Sequence, residues 1–311
     1  DLAVGAAGGG SQAWSRQDEL LNTLTVGAPP DILNRNGQSW GVSAFSPWGL
    51  KRHGFHAFIE MLRANLAHAG GIRIDHVMGL KRLWVIPQGG DQRDGAYLHY
   101  PQDDLLRLLA LESWRHKALI LGEDLGTVPE GFREELAERG ILGMRVLLFE
   151  QDRQGRFHPP PHWPDNALAT SATHDLPTLD GWWQGRDIDW RERLQIADTQ
   201  ATEEARETRG RERRALREAL AADGGPEADE VLDSAAMIDA CVGFLGHTPA
   251  PLVLLPLEDA LGLEEQANLP GTVDSHPNWR RRYPGDSATL LDGGDAARRL
   301  RILADARGKA E

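Results

Sequence analysis

Ile72 and Ile74 alternate with Gly71, Arg73 and Asp75 in the stretch "GGIRIDHVMGL", and Gly79 follows as a breaker. This period-two pattern predicts a short strand that finishes in charge. Further apolar runs of strand length occur at 118–122 ("ALILG"), 145–149 ("RVLLF"), 167–173 ("ALATSAT") and 252–255 ("LVLL"). Helical patterns fill the gaps between them: "FHAFIEMLRANLAHA", "PQDDLLRLLALESWRHK" and "PEGFREELAERG". Strands alternating with amphipathic helices predict a parallel β/α architecture. The last of these helices carries a capping-box signature, Thr127 followed by Glu130 with Pro129 in the first turn, and Gly140 marks its end. From Trp190 to about Leu220 the chain becomes a charge-dense amphipathic stretch, read as a solvated helical excursion. Its basic run "RGRERR" is interleaved with Glu and is not read as a nucleic-acid patch.

Side chains two apart on a strand point the same way, so Arg73 and Asp75 share a face. A guanidinium there keeps a carboxylate ionised, which suits a nucleophile and equally suits a structural ion pair. Two other strand-like runs end in the same chemistry, in Glu123-Asp124 and in His174-Asp175. In a β/α barrel the C-terminal strand ends converge on one rim, so Asp75, Glu123 and Asp175 are candidates for one site. A metal centre is the weaker reading, since the chain has no HxH or HExxH pattern and adjacent strand-end side chains diverge. Glycoside chemistry fits better, because it needs one carboxylate as nucleophile and a second as proton donor.

Composition narrows the field. The chain has 311 residues, 41% hydrophobic and 26% charged, enough for one large domain or two smaller ones. A net charge of −13 argues against a nucleic-acid partner, whose phosphates need Lys and Arg. The single cysteine, Cys241, lies in an apolar stretch and reads as a buried thiol in a reducing, cytoplasmic compartment. No apolar run is long enough to span a bilayer, and no signal peptide is visible. The chain begins abruptly at Asp1, without methionine, which is expected of a polypeptide entered partway.

The segments "DLAVG", "VGAPPDILNRNGQSWG", "RIDHVMGLKRLWVIP", "GAYLHYPQDDLLRLLALES", "GEDLGTVP", "ATHDLPTLDGWW" and "NLPGTVDSHPNWRRR" together resemble the 4-alpha-glucanotransferase family. This is the amylomaltase or disproportionating-enzyme family, glycoside hydrolase family 77, and the resemblance is to its longer bacterial branch, running from residue 1 to about Arg282. It implies an α/β fold, a (β/α)8 TIM barrel of the α-amylase-like type. It implies Asp75 as nucleophile, Glu123 as general acid/base and Asp175 as the carboxylate that grips sugar hydroxyls. Arg73 would orient the nucleophile, His76 and His174 would donate to sugar hydroxyls, and Asp1 matches an aspartate at the end of the third strand. Gln38 and Trp40 match a loop lying over the substrate, and Asn278 and Trp279 match the loop after the final strand. Ile32 departs from the shorter branch, where an aromatic sits in the overlying loop.

The implied reaction transfers segments of α-1,4-glucan between maltooligosaccharides through a covalent glucosyl enzyme, with no cofactor and no metal. The two working carboxyl groups are expected about 5 Å apart. On this reading residues 1–187 hold barrel strands three (its end) to seven, 188–247 a helical excursion, and 248–311 the last strand, a substrate loop and a C-terminal helix. Strands one and two and most of three are then missing, so the chain reads as a C-terminal portion, expected to aggregate and to lack turnover when expressed alone. Two alternatives stay open: a non-catalytic glucan-binding remnant, and an α-amylase-like hydrolase.

Overall fold

The computed structural model describes residues 1–30 and 36–308, and Ile32 falls outside the described residues. The chain divides into two units, residues 1–144 and 145–311, each mixing helices with strands.

In the first unit the main elements are β1 (Leu24–Ala28), β2 (Gln38–Ser39), α1 (Pro47–Arg52), α2 (His56–Leu66), β3 (Gly71–Ile74), β4 (Arg82–Pro87), β5 (Ala96–His99), α3 (Gln102–His116), β6 (Leu119–Gly122) and α4 (Phe132–Ala137). β3 pairs in parallel with β6, Ile72 opposite Ile120 and Ile74 opposite Gly122. Leu2 forms a further parallel bridge to Ile74, accepting from the Asp75 amide at 3.0 Å and donating to the Arg73 carbonyl at 2.7 Å. Ile72, Ile74 and Ile120 are buried, and α2 covers them with Phe58, Leu62 and Leu66, which recur every four residues as a helix face requires. α3 adds Leu105, Leu106 and Leu109, and its buried Glu112 is met by both Nε and Nη2 of Arg63 at 3.0 and 2.9 Å. α1 starts where Ser46 Oγ accepts from the Gly49 amide and Pro47 takes the first helical position.

Sequence periodicity gave no sign of a second sheet, antiparallel, in the order β2-β1-β4-β5. Its small core is Val26, Ala44, Leu83 and Val85, with Trp40 packed against it. Gly27 is required here, since a Cβ would lie 1.9 Å from the Gln38 carbonyl oxygen. The bare backbone lets β2 press against β1, and that contact fixes where the Gln38–Trp40 loop emerges.

β7 (Gly143–Val146) carries the division between the units. The second unit continues with β8 (Ala167–Thr170), α5 (Leu179–Gln184), α6 (Arg186–Arg193), α7 (Thr199–Ala222), α8 (Ser234–Gly246), β9 (Leu252–Leu254), α9 (Leu257–Leu261) and α10 (Gly294–Gly308). β8 pairs in parallel with β9 and is buried along its whole length, as a strand covered on both faces should be. α8 supplies Met237, Ile238, Cys241, Val242, Phe244 and Leu245 to the core, and burial pushes the Cys241 thiol well above its ordinary range. A Cβ on Gly246 would lie 2.5 Å from Ala306 Cβ, so α8 and α10 approach through a glycine. Asp198 and Asp233 cap α7 and α8, each accepting from the amide three residues on at 2.8 Å. Among the described residues no helix is long and apolar enough to cross a membrane.

Two local expectations are corrected. The helix expected from Pro129 to Gly140 is shorter, α4 beginning after Gly131, which sits in the left-handed region at φ 74° with no side-chain cap. The Thr127/Glu130 box is therefore not used, because the glycine turns the chain after it. The run "RVLLF" is strand only to Val146, and Leu147–Phe149 is a 3-10 turn whose first two leucines are buried. An apolar run reports burial, not whether the buried backbone is extended.

Candidate active site

β3 and β6 end side by side, and the first unit's charged groups are gathered there. Arg73 Nη1 donates to Asp75 Oδ1 at 3.1 Å and to both Asp1 oxygens at 2.7 and 2.6 Å. Asp1 reaches this point because Leu2 is bridged to β3. Asp1 and Asp75 remain 43% and 40% exposed at their side chains, so both carboxylates flank one guanidinium and still face solvent.

Immediately after Asp75, His76 takes the left-handed conformation (φ 45°, ψ 60°), uncommon for a residue with a side chain. This turn aims the His76 amide at Glu123 Oε2 (2.8 Å), while the Leu125 amide donates to Oε1 (2.7 Å). Glu123 is buried, and that burial raises its pKa above the ordinary carboxylate value. The two amides and Arg73 act against the rise, and the charge of Asp75 adds to it. Two neighbouring carboxyl groups thus have different surroundings: one paired with arginine at the surface, the other buried and inclined to keep its proton. Such a division suits a nucleophile and a general acid.

His76 itself is lowered to about 4 by burial, so its ring is neutral near pH 7 and carries one N–H donor. The Trp40 ring meets it edge-on at 5.2 Å, and Trp40 Nε1 donates to Gln38 Oε1 at 3.2 Å. A cavity of about 260 Å³ in this unit is lined by Asp1, Asp75 and His76 together with Phe45, Phe58 and Tyr100.

The second unit gathers the other four candidates around the loop that leaves β8. His174 Nε2 lies 3.3 Å from Asp175 Oδ2, and Asn268 Nδ2 donates to Asp175 Oδ1 at 2.5 Å. The Trp279 ring is 5.5 Å from the His174 ring, 65% exposed and set at φ 58°. Asn278 faces its own loop: its Oδ1 accepts from the Leu269 amide at 3.0 Å and contacts His276 Nδ1 at 2.6 Å, and its Nδ2 donates to Thr272. In this structure Asn278 shapes the turn that presents Trp279 and Asn268.

Sequence reasoning passed over three residues that hold these groups. Asn268 was visible only as the residue before a Leu-Pro-Gly turn. Asp124, fully buried beside Glu123, accepts from the Met144 amide at 2.7 Å and from Arg133 Nε at 2.6 Å, tying the end of β6 to β7. Asp259, fully buried on α9, accepts from the Leu179 amide at 2.7 Å and from the Ser171 hydroxyl, fastening both ends of the loop that carries His174 and Asp175. Among the described residues no group of three or more His, Cys, Asp or Glu side chains is placed to hold a metal ion.

Residues 1–288 match the profile of a family described as 4-alpha-glucanotransferase. The chain is 40% identical over 288 residues to the 4-alpha-glucanotransferase of Haemophilus influenzae, covering 91% of this chain and 41% of that protein. It is 39% identical over 317 residues to the Mycobacterium tuberculosis protein of the same name, covering 98% of this chain and 43% of that one. The chain thus spans less than half the length of these relatives. Among solved structures, amylomaltase from Corynebacterium glutamicum is similar with a TM-score of 0.89 at 32% identity, covering 99% of this chain and 45% of that one. Amylomaltase from Streptococcus agalactiae in complex with acarbose, at 17% identity and a TM-score of 0.74, covers 97% of this chain and 56% of that one and is alike in fold.

Proposed function

Because this chain belongs to the 4-alpha-glucanotransferase family, we propose that it supplies the catalytic carboxylates of an enzyme that moves α-1,4-glucan segments between maltooligosaccharides. The observation that carries this reading is the paired surroundings of Asp75 and Glu123: an arginine-held, solvent-facing carboxylate next to a buried one fastened by two backbone amides. Protonated Glu123 donates to the glycosidic oxygen while Asp75 attacks the anomeric carbon, breaking the bond to the leaving glucan. Glu123, now a base, takes the proton of an acceptor's 4-hydroxyl, and the acceptor displaces Asp75 with net retention. Asp175, His76 and His174 are assigned to sugar hydroxyls, Arg73 and Asp1 to the setting of Asp75, and Trp40 with Gln38, and Trp279 with Asn278, to the loops over the glucan. The parallel pairs β3–β6 and β8–β9 are assigned to a (β/α)8 barrel of the α-amylase-like type. Buried, unpaired Cys241 is compatible with a cytoplasmic enzyme.

The test is maltotriose supplied to an enzyme of the relatives' full length that carries these residues. Longer and shorter maltooligosaccharides should form together, glucose should be released as the leaving group, and total reducing ends should stay nearly constant. Reducing ends rising in step with turnover would instead make it a hydrolase.

A further inference from the structure

The basic run on α7 is left without a role by the transfer reaction, yet its arginines differ among themselves. Arg206 pairs with Asp189 and Glu192 at 3.0 and 2.8 Å, and Arg209 grips both oxygens of Asp187 at 2.9 and 2.8 Å. One turn further on the pattern stops. Among the described residues Arg213, Arg214 and Arg217 have no carboxylate partner within 4.0 Å, and the buried Nε atoms of Arg213 and Arg217 have no hydrogen-bond partner. Leaving a buried donor unmatched is costly, and a protein with net charge −13 has carboxylates to spare. The three guanidinium groups line one cleft of about 390 Å³ whose walls include Trp183, Val231 and Leu232 and no acidic residue.

We propose that this cleft binds a small phosphate monoester, its phosphoryl group held by Arg213, Arg214 and Arg217 and its ring laid against Trp183. Guanidinium forks match phosphate oxygens in pairs and stay charged at every working pH, so arginines lining one cleft without a carboxylate partner suit a dianion. The Arg213 guanidinium lies 5.9 Å from the Trp183 ring, which gives the cleft one flat apolar wall beside its charges. Burial first, and then the neighbouring charge of Arg209, weaken the hold of Arg213 on its proton, against the opposing charge of Asp187. The cleft's size suits a single sugar or base ring. A nucleic-acid strand would need a long basic track, and α7 alternates Arg with Glu outside the cleft. The site lies wholly within the second unit and does not depend on the transfer reaction.

The test is calorimetric titration of a protein of the relatives' full length that carries this chain, with glucose 6-phosphate and with inorganic phosphate, against potassium chloride at matched ionic strength. Saturable binding of the ester is expected, absent with chloride. Arg213→Gln and Arg217→Gln should each weaken it by ~10-fold or more, as loss of a charge-assisted contact does. Exposed Arg214→Gln, which leaves the packing of α7 intact, should weaken it as well, so the proposal remains testable if either of the other variants misfolds. Trp183→Leu should bring the ester's affinity down to that of inorganic phosphate. Equal affinity of the unaltered chain for phosphate and ester would overturn the role given to the ring wall and assign the cleft to free phosphate. No saturable binding up to millimolar ligand, or unchanged affinity in all three arginine variants, would overturn the site.

Discussion

The two units hold their candidate groups by different means. In the first, backbone holds the buried carboxyl: amides of His76 and Leu125 grip Glu123, and a strand bridge at Leu2 brings Asp1 to Arg73, whose side chain holds Asp75. In the second, side chains do it: Asn268 reaches Asp175, Asn278 shapes the turn before Trp279, and Asp259 anchors the loop ends. Each unit also keeps one site residue in the left-handed region, half-buried His76 in one and exposed Trp279 in the other. A backbone clamp does not depend on the clamping residue's side chain, which suits the fixed placement that proton transfer needs. Side-chain clamps on exposed groups allow adjustment, which suits gripping a hydroxylated ligand.

The sharpest way to break this contrast is to neutralise the first unit's carboxylates separately. In an enzyme of the relatives' full length that carries this chain, Asp75→Asn should abolish transfer from every donor, because an amide is a poor nucleophile. Glu123→Gln should lose ~10²- to 10⁴-fold on glucans, the usual worth of general acid assistance, yet keep activity on a glucosyl fluoride that needs little protonation. Initial rates on maltotriose and on the fluoride check both, and the opposite pattern would exchange the two roles. Since the charge of Asp75 helps to raise Glu123, Asp75→Asn should also lower the Glu123 pKa, and Arg73→Gln should raise it. A carboxyl-resolved titration by NMR reads these opposite signs.

Next in size is a pH effect on the second unit. Asp259 is fully buried and raised to about 6, by burial first, against the hydrogen bonds from Ser171 and Leu179. A carboxyl whose folded value exceeds its unfolded value favours the folded state fully below the unfolded value. That contribution is lost as pH rises from about 4 through about 6. Asp259→Asn retains an oxygen for the Leu179 amide and removes the ionisation. Its stability relative to the unaltered chain should therefore climb by up to ~3 kcal/mol between pH 4 and pH 7, following the size of the shift. Parallel denaturation midpoints for the two proteins across that range would refute it.

Much of this architecture was legible because hydrophobic alternation reports which face of a strand is buried. Ile72, Ile74 and Ile120 mark β3 and β6, and strand parity alone puts Arg73 and Asp75 on one side. The antiparallel sheet was not legible. Its strands are short, and its decisive contact, the Gln38 carbonyl against Gly27, joins two segments that no shared periodicity links. Nor were the supports of the candidate groups. Asn268 lies 93 residues from Asp175, and Asp259 lies 88 from Ser171, and no local pattern encodes a pairing at such separation. Motifs name the groups that meet a ligand, while the residues that hold those groups look like ordinary polar positions until the chain is folded.

The smallest expected effect tests whether side-chain clamping in the second unit matters at all. Asn268 Nδ2 is a neutral donor to a carboxylate that is about half exposed, with His174 beside its other oxygen. A hydrogen bond to a charged group is worth ~1.5–3 kcal/mol when sheltered, and water at the open side reduces this to ~1 kcal/mol. Asn268→Ala should accordingly lower kcat/KM on maltotriose by ~5-fold, with folding stability within ~0.5 kcal/mol of the unaltered chain because the site is near the surface. If Asp175 grips hydroxyls more tightly as the sugar distorts, the loss falls on kcat and leaves KM nearly unchanged. Asn268→Asp sharpens the result, since a second carboxylate beside Asp175 adds repulsion to the lost donor and should cost more than alanine does. An alanine variant with unaltered kcat would mean that Asp175 is held by its backbone after all, and the contrast between the two units would disappear.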